Sequence, residues 1–146
     1  MKNLGFVALL LLTGCATVPE RRIIATENAP KALAVYSQGV QVGDTLYLAG
    51  QIGLDPATRK LVEGGVQAET RRAIENCKAV LEAAGYSLKD VVQVQVFLVS
   101  IDDYQAMNQV YATYFQESPP ARAALAVAAL PGGASVEILM TAVKGR

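Results

Sequence analysis

The chain has 146 residues, with 13 Lys plus Arg against 13 Asp plus Glu and a formal net charge of zero. That length fits one domain with a sizeable core, and the balanced charge, few aromatics and absent Trp give no footprint for nucleic acid. Histidine is also absent, which excludes Ser-His, Cys-His and His-ligated metal chemistry, so any reaction must run on Arg, Glu, Asp, Tyr, Ser, backbone groups and water.

Met1-Lys2-Asn3 is a short positive start, and Leu4 to Leu12 is an apolar run of nine residues. A membrane-spanning helix takes about 20 residues, so the run has the dimensions of a signal-peptide core. It ends in Leu12-Thr13-Gly14-Cys15, which looks like the lipobox of bacterial lipoproteins. That predicts a leader over residues 1–14 and lipid on Cys15. With Ala16 following, it also predicts an exported protein on the periplasmic side, held by its lipid at the outer membrane. The plainer alternative is an ordinary signal peptide with an incidental Cys15. Residues 15–25 carry a proline and a charge cluster and are read as the lipidated cysteine and a tether, with the folded domain over 26–146. A lipidated Cys15 leaves Cys77 without a disulfide partner, as a small buried hydrophobe.

Val35 to Val42 and Thr45 to Ala49 are β-rich runs on either side of Gly43-Asp44, a pair suited to a tight hairpin turn. From Val66 to Ala84, the positions Val66, Ala73, Ile74, Cys77, Val80, Leu81 and Ala84 make the apolar stripe of an amphipathic helix, stopped at Gly85. Val91 to Val99 alternates around Gln93 and Gln95 and predicts a strand. Ser100-Ile101-Asp102-Asp103 has the spacing of a helix start, and the helix it opens carries Tyr104, Met107, Val110, Tyr111 and Tyr114 on one side. Two acids at a helix N-terminus suit its dipole, so Asp102 and Asp103 are not read as a catalytic pair. The order hairpin, helix, strand, helix, strand, strand predicts an α+β fold in which both helices pack on one face of a single sheet. The other face also carries apolar residues, and a sheet of that kind calls for a partner subunit.

In the last stretch, Pro119 to Glu137, Arg122 opens a run with no further charge until Glu137. Pro131-Gly132-Gly133 between them is turn chemistry, so the two apolar runs are expected to fold back on each other. By residue type alone, the pair is an arginine at a solvated strand end and a glutamate on an exposed sheet face. If buried, both groups need to be paired or used.

Several segments in order resemble the Rid family of enamine and imine deaminases: Ile24-Ala25-Thr26-Glu27-Asn28-Ala29-Pro30, Tyr36-Ser37-Gln38-Gly39, Ala49-Gly50-Gln51-Ile52, Asn76, Leu81 to Gly85, Asp90-Val91-Val92, Met107-Asn108, Tyr111, Pro120-Ala121-Arg122, Leu130-Pro131 and Val136-Glu137-Ile138. The likeness spans residues 24 to 143. It implies a chorismate-mutase-like fold, a homotrimer with clefts between subunits, and hydrolysis of 2-imino acids to 2-keto acids and ammonia without metal or organic cofactor. It also implies that Arg122 holds the substrate carboxylate, that Glu137 orients water, and that Tyr36, Gly50 and Asn108 bind substrate. The chemistry of the residues agrees with this independently. A guanidinium grips a carboxylate through two parallel bonds, and an imine carbon needs only a positioned water and a base.

The sequence departs from the family at Ala49, often serine, at Gly53, commonly proline, and at Ala124, often cysteine. Leu139 stands in place of the second acid after the glutamate, and the loop Gln116 to Pro119 is short. An exported member is also unusual, which keeps a second class in view: a non-catalytic trimeric binding or scaffold protein using the same pocket.

Overall fold

The structure is a computed structural model that describes residues 18–145. The expected leader over residues 1–14 and Cys15 lie outside the described residues, as do Ala16 and Thr17.

The strands are β1 (Arg21–Ile24), β2 (Gly39–Val42), β3 (Thr45–Leu48), β4 (Gln51–Ile52), β5 (Val91–Leu98), β6 (Ala121–Ala126) and β7 (Val136–Val143), and the helices are α1 (Gly65–Ala83) and α2 (Tyr104–Tyr114). The sheet order is β1-β2-β3-β7-β5-β6, with the short β4 also paired to β7. All pairs are antiparallel except β5 with β6. The expected single sheet with its two helices is therefore present. Among the described residues, no helix is long and apolar enough to cross a membrane.

The core forms where the stripe of α1 meets one face of the sheet. Ala73, Ile74, Cys77, Val80 and Leu81 pack with Leu46, Val94, Val96, Leu98, Val136, Ile138 and Met140, all fully buried. Each Leu, Ile or Val so buried contributes about 1.5–3 kcal/mol. Met107 and Tyr111 bring α2 into the same cluster. The α1 helix stops at Gly85, whose φ of 81° lets the Gly85 and Tyr86 N–H groups return to the Glu82 and Leu81 carbonyls. Burial drives the Cys77 thiol far above the ordinary thiol range, as befits a packing residue rather than a reactive one.

Three expectations need correction. The tether does not reach residue 25, because Arg21–Ile24 pairs in register with Gly39–Val42. Ile24 is buried there, and the Arg22 guanidinium donates to Gln41 Oε1 and to the Ala84 carbonyl. The first hairpin strand begins at Gly39 rather than Val35. Gln38, buried just before it, turns its amide on the preceding loop, donating to the carbonyls of Thr26, Ala29 and Pro30 and accepting from the Thr26 N–H. Finally, the runs around Arg122 and Glu137 do not pair. Strand β5 lies between β6 and β7, and Pro131–Gly133 forms a short 3-10 turn on the way across.

The face away from the helices carries Ile23, Val40, Tyr47, Phe97, Leu139 and Leu125 among Gln93, Gln95 and Thr141. Of these, Ile23, Tyr47 and Leu125 are more than half exposed.

Candidate functional site

The register across β5 decides where the two charged residues point. Arg122 is opposite Val94 and Glu137 is opposite Phe97, three positions apart on one strand. Successive strand residues alternate faces, so Arg122 projects to the helix side and Glu137 to the open side. One chain therefore does not join them in a single site; it carries two separate clusters.

Glu137 sits in a cavity of about 440 Å³ lined also by Tyr36, Gly50, Pro30, Leu33, Ile52 and Pro131. The chain breaks from β7 between β3 and β4, at Ala49-Gly50, and the glutamate side chain lies into that break. A Cβ on Gly50 would stand 2.8 Å from Glu137 Cδ, so only glycine lets the carboxylate rest against the backbone here. Burial pushes the Glu137 carboxyl above its usual range, and none of the ion pairs among the described residues involves it. Tyr36 lies half exposed at the cavity mouth, its hydroxyl accepting from the Leu33 N–H at 3.3 Å. The loop that carries Tyr36 is the one pinned by Gln38. On the other side, Asn76 of α1 donates to the carbonyls of Ile52 and Leu54 and so fixes β4.

Arg122 belongs to the second cluster. Its Nη1 donates to Asn108 Oδ1 at 2.7 Å and its Nη2 to the Tyr104 hydroxyl at 3.2 Å. The guanidinium carbon lies 4.5 Å from the centre of the Tyr111 ring and 5.8 Å from that of Tyr104. All three partners come from one face of α2, at spacings of four and three residues. The cation is thus fixed by neutral groups, and it too is in none of the ion pairs among the described residues. It opens on a depression lined by Ile101, Asp102, Tyr104, Gln105 and Ala124.

Of the expected site residues, Tyr36, Gly50 and Glu137 come together, and Arg122 and Asn108 come together. Two of the departures border these clusters, Ala49 the first and Ala124 the second. Tyr104 and Tyr111 are legible in the sequence as one side of α2, and their spacing from Asn108 is the signal that ties them to Arg122. Glu69, which the sequence does not mark, is buried on α1 and accepts from the Ser135 N–H at 2.7 Å and the Ser135 hydroxyl at 2.9 Å, two residues before Glu137. Among the described residues, no three His, Cys, Asp or Glu side chains cluster as a metal site.

A family described as Endoribonuclease L-PSP matches residues 26–144. The chain belongs to the Endoribonuclease L-PSP family. A mouse relative named 2-iminobutanoate/2-iminopropanoate deaminase is 49% identical over 125 residues, covering 86% of this chain and 93% of that protein. A RutC family protein of Pyrococcus horikoshii is 49% identical over 124 residues, covering 85% of this chain and 98% of that one. Among solved structures, RidA from an Antarctic Psychrobacter superposes with a TM-score of 0.82 at 46% identity, over 84% of this chain and 99% of that one. The Rid resemblance is therefore confirmed, and with it the fold. Residues 1 to 25 precede the Endoribonuclease L-PSP match.

Proposed function

We propose that this protein is a hydrolytic deaminase that converts 2-imino acids to 2-keto acids and ammonia. The state of Arg122 carries the reading: a guanidinium held in place by three neutral partners and open to a depression is completed by a ligand carboxylate. The deaminases among its relatives add to it. A 2-imino acid brings one carboxylate and one electrophilic carbon. Arg122 grips the carboxylate. Glu137, ionised, takes a proton from a water as the water oxygen bonds to the imine carbon, and hands that proton to the former imine nitrogen. Glu137 then takes the hydroxyl proton of this carbinolamine and passes it to the amino group, so the C=O bond forms as the C–N bond breaks, ammonia leaves and the 2-keto acid remains. The raised Glu137 carboxyl suits a base that must hand its proton on. Because Arg122 and Glu137 leave one sheet on opposite faces, one substrate is held by Arg122 of one copy and Glu137 of a neighbour, in a homotrimer.

The family description names an endoribonuclease, but a neutral chain without histidine offers neither phosphate steering nor imidazole acid-base pairs. The leader and Cys15 favour a lipid-anchored enzyme at the periplasmic side of the outer membrane. They also motivate a second reading, an exported trimeric binding protein using the same pocket. The rate of 2-iminopropanoate hydrolysis, with Arg122→Ala as control, separates the two.

A further inference from the structure

We propose that the Tyr104 hydroxyl donates a second hydrogen bond to the carboxylate gripped by Arg122, which makes Tyr104 a substrate-binding residue of this protein. The inference rests on the reading of Arg122 as the carboxylate anchor.

Tyr104 opens α2, with 37% of its surface exposed at the rim of the depression that Arg122 faces. Its oxygen already accepts from Arg122 Nη2 at 3.2 Å. Asn108 lies one turn further along the same helix face, and its Oδ1 is taken by Arg122 Nη1 at 2.7 Å. Asn108 and Tyr104 thus hold the two ends of the guanidinium fork from one helix face. A phenol oxygen has two lone pairs and one proton. With one lone pair given to Arg122, the hydroxyl keeps its proton for the open side, which is lined by Ile101, Asp102, Gln105 and Ala124. Among the described residues, no hydrogen bond joins the Tyr104 hydroxyl to the Asp102 carboxylate.

The result is a guanidinium and a hydroxyl presented side by side, both as donors, with the guanidinium fixed by Asn108. A carboxylate has two oxygens and about four acceptor positions, so a single Arg122 fork leaves acceptor capacity that the hydroxyl fills. Asn108 and Arg122 hold the Tyr104 phenol below its ordinary range, and a more acidic phenol is a stronger donor to an anion. A neutral ester or amide in the same place gains less from either group, so the pair selects for the free acid.

The test uses the full-length protein and pyruvate as probe, with affinity read by ligand-observed NMR and with KM for 2-iminopropanoate. Tyr104→Phe removes one oxygen from an exposed ring, so the fold is retained. It is expected to weaken pyruvate binding and raise KM by about tenfold, the size of one hydrogen bond to a charged group, with the effect carried by KM rather than kcat. The same substitution placed in Arg122→Lys is expected to weaken pyruvate binding again by several-fold, because the hydroxyl contacts the ligand itself. Pyruvate affinity within twofold of the parent in Tyr104→Phe overturns the inference. So does a loss that vanishes in the Arg122→Lys background, which would mean that Tyr104 acts only by holding Arg122. If Arg122→Lys binds pyruvate as well as the parent, the carboxylate-anchor reading falls and this inference falls with it. If Arg122→Lys weakens binding and Tyr104→Phe does not, the tyrosine inference alone fails.

Discussion

Arg122 and Glu137 leave the same sheet on opposite faces, three positions out of phase across β5. A reaction that needs both therefore needs two copies. Two inactive variants should then rescue each other. Unfolding Arg122→Ala and Glu137→Gln together and refolding the mixture lets subunits exchange, and in random trimers about a quarter of the clefts regain an intact Arg122 from one copy and an intact Glu137 from another. Recovery of about that fraction of parental activity is the expected outcome. A mixture as inactive as its components, or a chain that sediments as a stable monomer at micromolar concentration, contradicts the shared cleft.

The Glu137 carboxyl gives a pH signature of known sign. Burial raises it in the folded state. A carboxyl raised on folding favours the folded state below its unfolded pKa, and that contribution is lost as pH rises through the folded pKa. At neutral pH the ionised side chain is therefore a cost. Glu137→Gln should unfold at higher urea than the parent at pH 7.5, and the advantage should shrink as pH falls through the raised Glu137 range and be gone below the ordinary carboxyl range. Protein concentration is held constant so that assembly does not distort the comparison. An equal midpoint shift at both pH values would remove desolvation as the cause.

Gly50→Ala tests the approach of the carboxylate to the backbone. The added Cβ meets Glu137 Cδ at 2.8 Å, and since Glu137 is flexible at that end, the side chain swings away while the fold stands. A misplacement of about 1 Å costs about 100-fold in rate, so kcat should fall on that scale while circular dichroism and assembly are unchanged. Full activity in a folded Gly50→Ala variant would show that the observed Glu137 position is not the working one.

Much of this was legible in local pattern. The stripe from Val66 to Ala84 has one period and one stop, and α1 follows it to within a residue at each end. The alternation around Gln93 and Gln95 likewise foretells β5. Four residues of Arg21–Ile24 are too few to show alternation, so only pairing with β2 marks β1 as a strand. Pro131-Gly132-Gly133 has the residues of a hairpin turn, and nothing local says that β5 will come between the strands it joins. Charges isolated in apolar runs singled out Arg122 and Glu137. Their division between faces depends on register with a third strand, which only the sheet supplies. The link from Glu69 to Ser135 spans 66 residues and leaves no mark in either neighbourhood.

The proposed lipid anchor on Cys15 has its own test. If Leu12 to Cys15 acts as a lipobox, the parent should incorporate labelled palmitate and fractionate with outer membranes, and Cys15→Ser should block both processing and labelling. A Cys15→Ser variant that is still cut and still sediments with membranes would rule out lipid on this residue.

The most direct measurement is the decay of 2-iminopropanoate, generated in place and followed in the presence of the parent, Arg122→Ala, Arg122→Lys and Glu137→Gln, each first checked for assembly. The parent should accelerate hydrolysis. Arg122→Ala should abolish that acceleration, since truncating one partner of a charge-assisted pair costs about 2–5 kcal/mol. Arg122→Lys should restore little of it, because an ammonium lacks the fork, and Glu137→Gln should lower kcat more than it raises KM. Undiminished hydrolysis by an assembled Arg122→Ala variant, or no acceleration by the parent, would contradict the deaminase reading.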